Sequence, residues 1–390
     1  FTREISGTAE LQVVSRGTHE EIDIFPGDPC NNKLAGNVVD LCPVGALCSK
    51  DFLYEQRVWW LNSKNSVCPG CSTGCSIRVD QNKDVLYRLK PRENPQAQGS
   101  FMCDEGRFGW KYIHSDSRLK LPEQRTGGQT TSRDCDIVLP ALRNALKDAV
   151  VRARKKFAVV ISSWATVEEA YLLASYARKI APAAKLAIGP VRVVGEDDLY
   201  PKDVHGKPAA QTKFTIRAEK CPNRLGVEAV IQQIQGSVIS FSDILNQVTR
   251  GDVEALYVLG GDPEGWISDA DVAKLDKLKL LVVQDLLASA ASAKAQFVLA
   301  GAAFAEKDGT FVNHNGLAQA IHRGLRGPVE ARPDGRILME LAERHGMFHA
   351  ATLRKEIASA VPALAALAVG ELGEFGVKLD SAAKAEMQTA

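Results

Sequence analysis

Three cysteines fall within eight residues, Cys68-Pro69-Gly70-Cys71-Ser72-Thr73-Gly74-Cys75, and a fourth, Cys103, follows after 27 residues. A chain spaced this way has to bring a tight turn and a distant segment to one centre. Cysteine thiolates hold iron–sulfur clusters, and a 4Fe–4S cubane takes four of them. The turn suits three corners, because Gly70 and Gly74 permit positive φ and close backbone approach. Cys103 closes the fourth. Zinc is the competing metal. Structural zinc sites made of four cysteines pair two C-x2-C knuckles across a loop. Here one side brings three cysteines and the other brings one, which favours the cluster. Disulfides fit less well, since nine cysteines in 390 residues is an odd number and far from the density of a disulfide-built secreted domain. The expected ligands are therefore Cys68, Cys71, Cys75 and Cys103, and the expected work is electron transfer.

The bulk numbers bound the rest. A chain of this length holds two or three domains. Hydrophobic residues at 45% and charged residues at 24% are ordinary for a globular protein. A net charge of +1 leaves no electrostatic footprint for nucleic acid. No run of about 18 apolar residues is present, so no membrane span is expected. The nearest, Ile357 to Val369, contains Pro362 and predicts a packed helix or helix pair. The chain opens on Phe1-Thr2-Arg3-Glu4, without methionine or signal pattern, and reads as the middle of a domain.

Three units are expected along the chain: residues 1–60, 61–120 and 121–390. The first is irregular, with short apolar runs at 11–14 and 22–25, and it needs a staple to be stable. It contains Cys42-Pro43, and a cysteine followed by proline ends ferredoxin-type cluster runs. Cys30 and Cys48 are near, at spacings that fit no simple run. In the second unit, Ile77–Asp80 and Val85–Leu89 alternate around a polar turn and predict a hairpin that returns the chain to deliver Cys103. In the third, a helix is expected over 139–150, followed by a basic stretch at 152–156 and a buried strand over 157–161. Thr166 and Glu169 form a capping box that opens a helix to about Ile180. Further strands are expected at 185–188, 255–259 and 278–283. Alternating strands and helices imply an α/β fold with a parallel sheet.

Two turns invite attention. Leu259-Gly260-Gly261-Asp262-Pro263 follows a strand, where glycine amides approach phosphates in parallel sheets; an ordinary βα turn explains it equally well. Ala305-Glu306-Lys307-Asp308-Gly309-Thr310-Phe311-Val312-Asn313 reads as a solvated charged loop. No serine or cysteine nucleophile is paired with a base, and the seven histidines show no metal spacing. His114 and His314 are expected to be structural.

Gly36-Asn37-Val38-Val39-Asp40-Leu41-Cys42-Pro43-Val44-Gly45-Ala46-Leu47 resembles the signature of the large iron–sulfur subunit family of respiratory NADH–quinone oxidoreductases, the G subunit in bacteria. Phe1-Thr2-Arg3-Glu4 and Gly7-Thr8-Ala9-Glu10-Leu11 support the likeness. The resemblance implies that Cys42 is the fourth ligand of a second 4Fe–4S cluster. Its other three ligands would then lie before Phe1, with a 2Fe–2S and a further cluster possible there. The C-x2-C-x3-C-x27-C quartet, with Gly106-Arg107-Phe108-Gly109 and Ser117-Arg118-Leu119, resembles the cluster domain that this family shares with the molybdopterin oxidoreductases. That cluster, in the family, lies off the main electron path.

The 121–390 unit resembles a degenerate molybdopterin-oxidoreductase α/β domain of the formate dehydrogenase and DMSO reductase kind. The 305–313 run matches closely and the 259–263 turn loosely, while Asn315-Gly316-Leu317 stands where the family has Glu-Gly-Arg. Ser162 to Ile180 carries no cysteine to ligate molybdenum, and Cys221 comes late, in a loop. No molybdenum is therefore expected. The resemblance implies an electron-transfer subunit of an NADH:quinone oxidoreductase, with no complete catalytic site in this chain. It would be peripheral on the cytoplasmic side of a bacterial inner membrane. Its partners would be a flavin- and NADH-binding subunit, a small 2Fe–2S subunit and a ferredoxin-like subunit. The alternative is a subunit of an NAD-linked molybdenum formate dehydrogenase. A diaphorase-side hydrogenase subunit would lack the long α/β tail, and a zinc-stapled binding module would bind zinc instead of iron.

Overall fold

The computed structural model describes residues 1–153, 156–203 and 205–379. Of the basic stretch at 152–156, residues 154–155 lie outside that description, as do residues 380–390 of the last unit.

Phe157–Ile161, Lys185–Ile188, Ala255–Leu259, Leu280–Asp285 and Phe297–Ala300 form the parallel part of a seven-stranded sheet. Their spatial order is 297–300, 280–285, 255–259, 157–161, 185–188. The hairpin Glu123–Thr126 and Gln129–Ser132 adds two antiparallel strands beside Phe297–Ala300. Apolar runs suit these strands because both faces are covered. Phe157, Val159 and Ile161 enter one core, while Ala158 and Val160 enter the other. Ala255, Tyr257 and Leu259 alternate with Leu256 and Val258 in the same way.

The first core is closed by helices Cys135–Ala153, Val167–Ile180 and Arg224–Gln235, and the second by Phe241–Arg250. The first helix begins four residues before the apolar periodicity does, with Pro140 in its early turns. The capping box is present: Glu169 N donates to Thr166 Oγ1 at 3.2 Å and Thr166 N to Glu169 Oε2 at 2.8 Å. The apolar stretch near the end becomes helix Ala350–Ala360 and a 3-10 segment, Pro362–Val369, broken where the proline stands.

The strand order reverses between Phe157–Ile161 and Ala255–Leu259, and a sheet of this kind offers its crevice at that switch point. The glycine turn lies there. The Gly261 amide donates to Asp285 Oδ1 at 2.9 Å, and Trp266 Nε1 donates to Asp285 Oδ2 at 2.9 Å. A Cβ on Gly260 would stand 2.5 Å from the Asp285 carboxyl carbon. The anion met by this turn is the protein's own carboxylate.

The expectation of a solvated loop at 305–313 is wrong. Glu306 and Lys307 are buried. Glu306 pairs with Arg118 at 2.8 Å, and Lys307 bridges Glu169 at 2.9 Å and Asp334 at 3.0 Å. A charge pattern read locally cannot reveal partners that lie 27 residues away, as Asp334 does, or more than 100, as Arg118 and Glu169 do.

Residues 62–91 form a three-stranded antiparallel sheet in which Ser76–Asn82 pairs with both Asn62–Val67 and Val85–Pro91. The cysteine region does not have a core to itself. Val67, Ile77, Leu86, Leu89 and Met102 pack with Phe214, Ile216, Phe304, Phe311 and Ile321 of the α/β part. The first sixty residues are looser, with a two-stranded hairpin, Leu11–Val14 and Glu21–Ile24, and a short helix, Asn37–Leu41. Ile22, Phe25, Val44, Tyr54 and Trp59 are exposed there.

Candidate iron–sulfur site

Cys68, Cys71, Cys75 and Cys103 are all buried and line one small pocket with Gly70, Met102, Glu105 and Gly106. The turn closes on itself: the Cys68 amide donates to the Cys75 carbonyl at 2.8 Å, and Gly74 takes φ +65°. Cys103 arrives as the N-cap of the short helix Asp104–Phe108, its Sγ accepting from the Gly106 amide at 3.4 Å. Among the described residues, no three His, Cys, Asp or Glu side chains close on a point as the ligands of a single ion do. Four thiols around a shared space, three from one turn and one from a distant segment, suit the four corners of a 4Fe–4S core.

Burial pushes the Cys68 and Cys75 thiols well above the ordinary range, aided by the neighbouring cysteines. Burial likewise raises Cys103 to about 12, while the Gly106 amide and Lys220 pull the other way. A metal centre bound by these groups as thiolates displaces their protons.

Gly106 is required by space. A Cβ there would lie 2.7 Å from Cys68 Sγ and 3.7 Å from Cys103 Sγ. Gly106→Ala is expected to lower the iron bound per chain and to cost about 1–3 kcal/mol of stability through overpacking. Iron analysis and urea unfolding of the same preparation measure both.

The α/β part grips the cysteine turn directly. Gln319 Nε2 donates to the Gly74 carbonyl at 2.8 Å, and Asn313 Nδ2 to the Thr73 carbonyl at 2.9 Å. The Ser72 amide donates to the Glu219 carbonyl at 2.9 Å. The loop that carries Glu219 also brings buried Lys220 within 2.7 Å of Glu105, two residues after Cys103. None of these partners carries a signal of its own in the sequence. Asn313 lies inside the 305–313 run, but only the fold shows what it holds.

Cys42 sits apart from the quartet, half-buried at the end of the helix Asn37–Leu41. Backbone amides of Leu47 and Val44, then Ala46 and Gly45, wrap its sulfur and hold the thiol below its ordinary range. Such a cradle favours a thiolate. The preceding segment is clamped to the quartet: Asp40 pairs with Arg107 at 2.7 Å, and the Gly36 amide donates to Asp104 at 2.9 Å. Cys30 and Cys48 do not join the four; burial raises Cys30 to about 11, and Cys48 donates to the Gly45 carbonyl.

His114 accepts from the Leu86 amide at 2.9 Å through Nε2, and burial lowers its pKa. His314 braces the Ser72 carbonyl with its backbone amide at 2.9 Å. Cys221 is late in sequence but not in space. It is buried, and Asn223 beside it donates to the Ser163 and Ala165 carbonyls of the switch-point loop.

Three family models match, in chain order. The NADH-quinone oxidoreductase subunit 3 ferredoxin-like domain matches residues 1–48, the molybdopterin oxidoreductase Fe4S4 domain residues 61–115, and the molybdopterin oxidoreductase model residues 232–344. The NADH-quinone oxidoreductase G subunit of Streptomyces coelicolor is 29% identical over 179 residues, 46% of this chain and 21% of that protein. The corresponding G subunit of Rickettsia bellii is 31% identical over 183 residues, 46% of this chain and 26% of that one. The NADPH-Fe(3+) oxidoreductase subunit alpha of Geobacter sulfurreducens is 39% identical over 119 residues, 30% of this chain and 14% of that one. The chain thus spans about a quarter or less of the length of these relatives. Acetylene hydratase from Pelobacter acetylenicus superposes on 72% of this chain and 69% of its own, at 9% identity and a TM-score of 0.42, too loosely to carry an argument. In its motifs and in the order of its matched domains, the chain is similar to the G subunits of NADH-quinone oxidoreductases and to the molybdopterin oxidoreductases.

Proposed function

We propose that this chain is an electron-transfer part of an NADH:quinone oxidoreductase, holding one 4Fe–4S cluster on Cys68, Cys71, Cys75 and Cys103 and contributing Cys42 to a second. The observation that carries the reading is the buried pocket walled by four thiols. A bound cluster supplies a one-electron couple. The chain's own residues hold it, exclude water and donate amides to sulfur. Cys42, in its cradle of amides, is the ligand on the path from flavin towards quinone; the quartet lies to the side. The units 1–60, 61–120 and 121–390 correspond to a ferredoxin-like part, a cluster domain and an α/β scaffold. Partners are a flavin- and NADH-binding subunit, a small 2Fe–2S subunit and a ferredoxin-like subunit, and the exposed apolar side chains of the first sixty residues suit such docking. The position proposed is peripheral, on the cytoplasmic side of a bacterial inner membrane; no helix among the described residues is long and apolar enough to cross a membrane.

The test is a pair of substitutions in the assembled complex. Cys42→Ala is expected to stop NADH-to-quinone turnover, and Cys103→Ala to remove one cluster while leaving most of the turnover. Equal losses would sink the division of roles.

A second reading, a subunit of an NAD-linked molybdenum formate dehydrogenase, draws on the buried Cys221 beside the switch-point loop. The absence of a cysteine from Ser162 to Ile180 weighs against it. Stoichiometric molybdenum in the purified protein would decide for it.

A further inference from the structure

Lys220 is a buried cation that the proposed electron path does not use. It is 6% exposed, and its ammonium pairs with Glu105 at 2.7 Å. Its position is set by backbone on both sides: the Lys220 amide donates to the Arg192 carbonyl at 2.8 Å, and the Glu219 carbonyl accepts from Ser72 within the cysteine turn. Glu105 lines the four-thiol cavity, between Cys103 and Gly106. Placing an ammonium in a protein interior carries a desolvation penalty of several kcal/mol, and an exposed pair between these two loops would have avoided it.

We propose that Lys220 sets the reduction potential of the cluster held by the four cysteines, as a fixed positive charge beside Cys103. The inference rests on the cluster reading given above. Reduction adds an electron to a centre already ligated by four thiolates, so a cation in a low-dielectric surrounding stabilises the reduced form. The paired Glu105 carboxylate opposes this, since it lines the pocket itself. Its side chain is 49% exposed against 7% for the lysine, so solvent screens the anion more than the cation. The ammonium therefore offsets the field that the carboxylate exerts on the cluster, and its removal exposes the cluster to that negative charge. The α/β part thereby does more than brace the turn: one of its loops tunes the centre.

The test is an EPR-monitored redox titration of the whole iron-loaded chain. For Lys220→Met, the ratio of reduced to oxidised cluster at a fixed ambient potential is expected to fall about tenfold, equivalent to about 59 mV for a one-electron couple. Lys220→Arg keeps the charge and is expected to keep the midpoint. Glu105→Gln removes the opposing charge and is expected to raise the midpoint. A merely structural Lys220 would change iron content without moving the potential. The inference is overturned if Lys220→Met retains its iron and its midpoint. Should Lys220→Met lose the cluster, Glu105→Gln decides, and an unmoved or lowered midpoint overturns it. An unaltered chain that binds zinc and no iron overturns the cluster reading itself, a result separate from these.

Discussion

Cys75→Ala is expected to abolish the bound cluster: iron falls from about four per chain to near zero, and the broad absorbance near roughly 400 nm of thiolate-ligated clusters disappears with it. The size of the effect follows from the geometry. Cys75 is buried, its carbonyl closes the turn onto the Cys68 amide, and no other cysteine stands ready to replace it; the described cysteines outside the quartet do not line its cavity. The cluster-free chain should tolerate the change better than the loaded one. A buried thiol behaves as a small hydrophobe, so alanine removes little packing, whereas the binding free energy of a metal centre is also folding free energy. Melting temperatures of the loaded and stripped proteins measure this: the loaded protein is expected to lose its advantage, and the stripped protein to change little. If the variant kept its full iron and absorbance, Cys75 would not be a ligand.

Lys307→Met is expected to destabilise the protein by about 3–5 kcal/mol, the cost of breaking a buried ion pair by removing one partner. Net stabilities of domains are about 5–15 kcal/mol, so the loss is a large share of the total. Lys307 is buried between Glu169 and Asp334, themselves buried, and methionine would leave both carboxylates without their cation. Glu169→Gln added to that variant should recover part of the loss, because it removes one stranded charge and keeps a capping-box residue at the helix start. Burial pushes Glu169 up to about 7 even with Lys307 present. An acid whose pKa is raised on folding stabilises most below its unfolded value and loses that contribution as pH rises through the folded one. Both proteins are expected to lose stability as pH rises from about 5, and the deficit of Lys307→Met to widen only above about pH 7, where Glu169 ionises in the parent beside Lys307 and lacks that cation in the variant, measured as urea midpoints from about pH 5 to about pH 9. A deficit independent of pH would show that Glu169 does not change its charge state across that range.

The same Glu169 shows where sequence reading stops. Thr166 and Glu169 are three residues apart, so their capping box is written locally. Lys307, which shares the Glu169 carboxylate, is 138 residues away. The 305–313 run misleads for this reason: its charges look solvated until the fold supplies Arg118, Glu169 and Asp334. Cys221 looks remote by its sequence position, yet its loop packs on the loop that follows the first parallel strand.

The sequence by itself determined the elements and the chemistry type. Apolar runs of five residues became buried strands, the 166–169 box started its helix, and the four spaced cysteines came to line one pocket. Those features depend on covalent neighbours and on backbone geometry over a few residues. Tertiary structure alone decided what surrounds the four cysteines. It put Gln319 and Asn313 on the turn carbonyls, aimed Lys220 at Glu105, and left Gly106 no room for a side chain. The first three of these contacts join segments more than 100 residues apart. Whether a charge is buried or solvated, and what field a metal centre feels, depends on which distant segments exclude water from it.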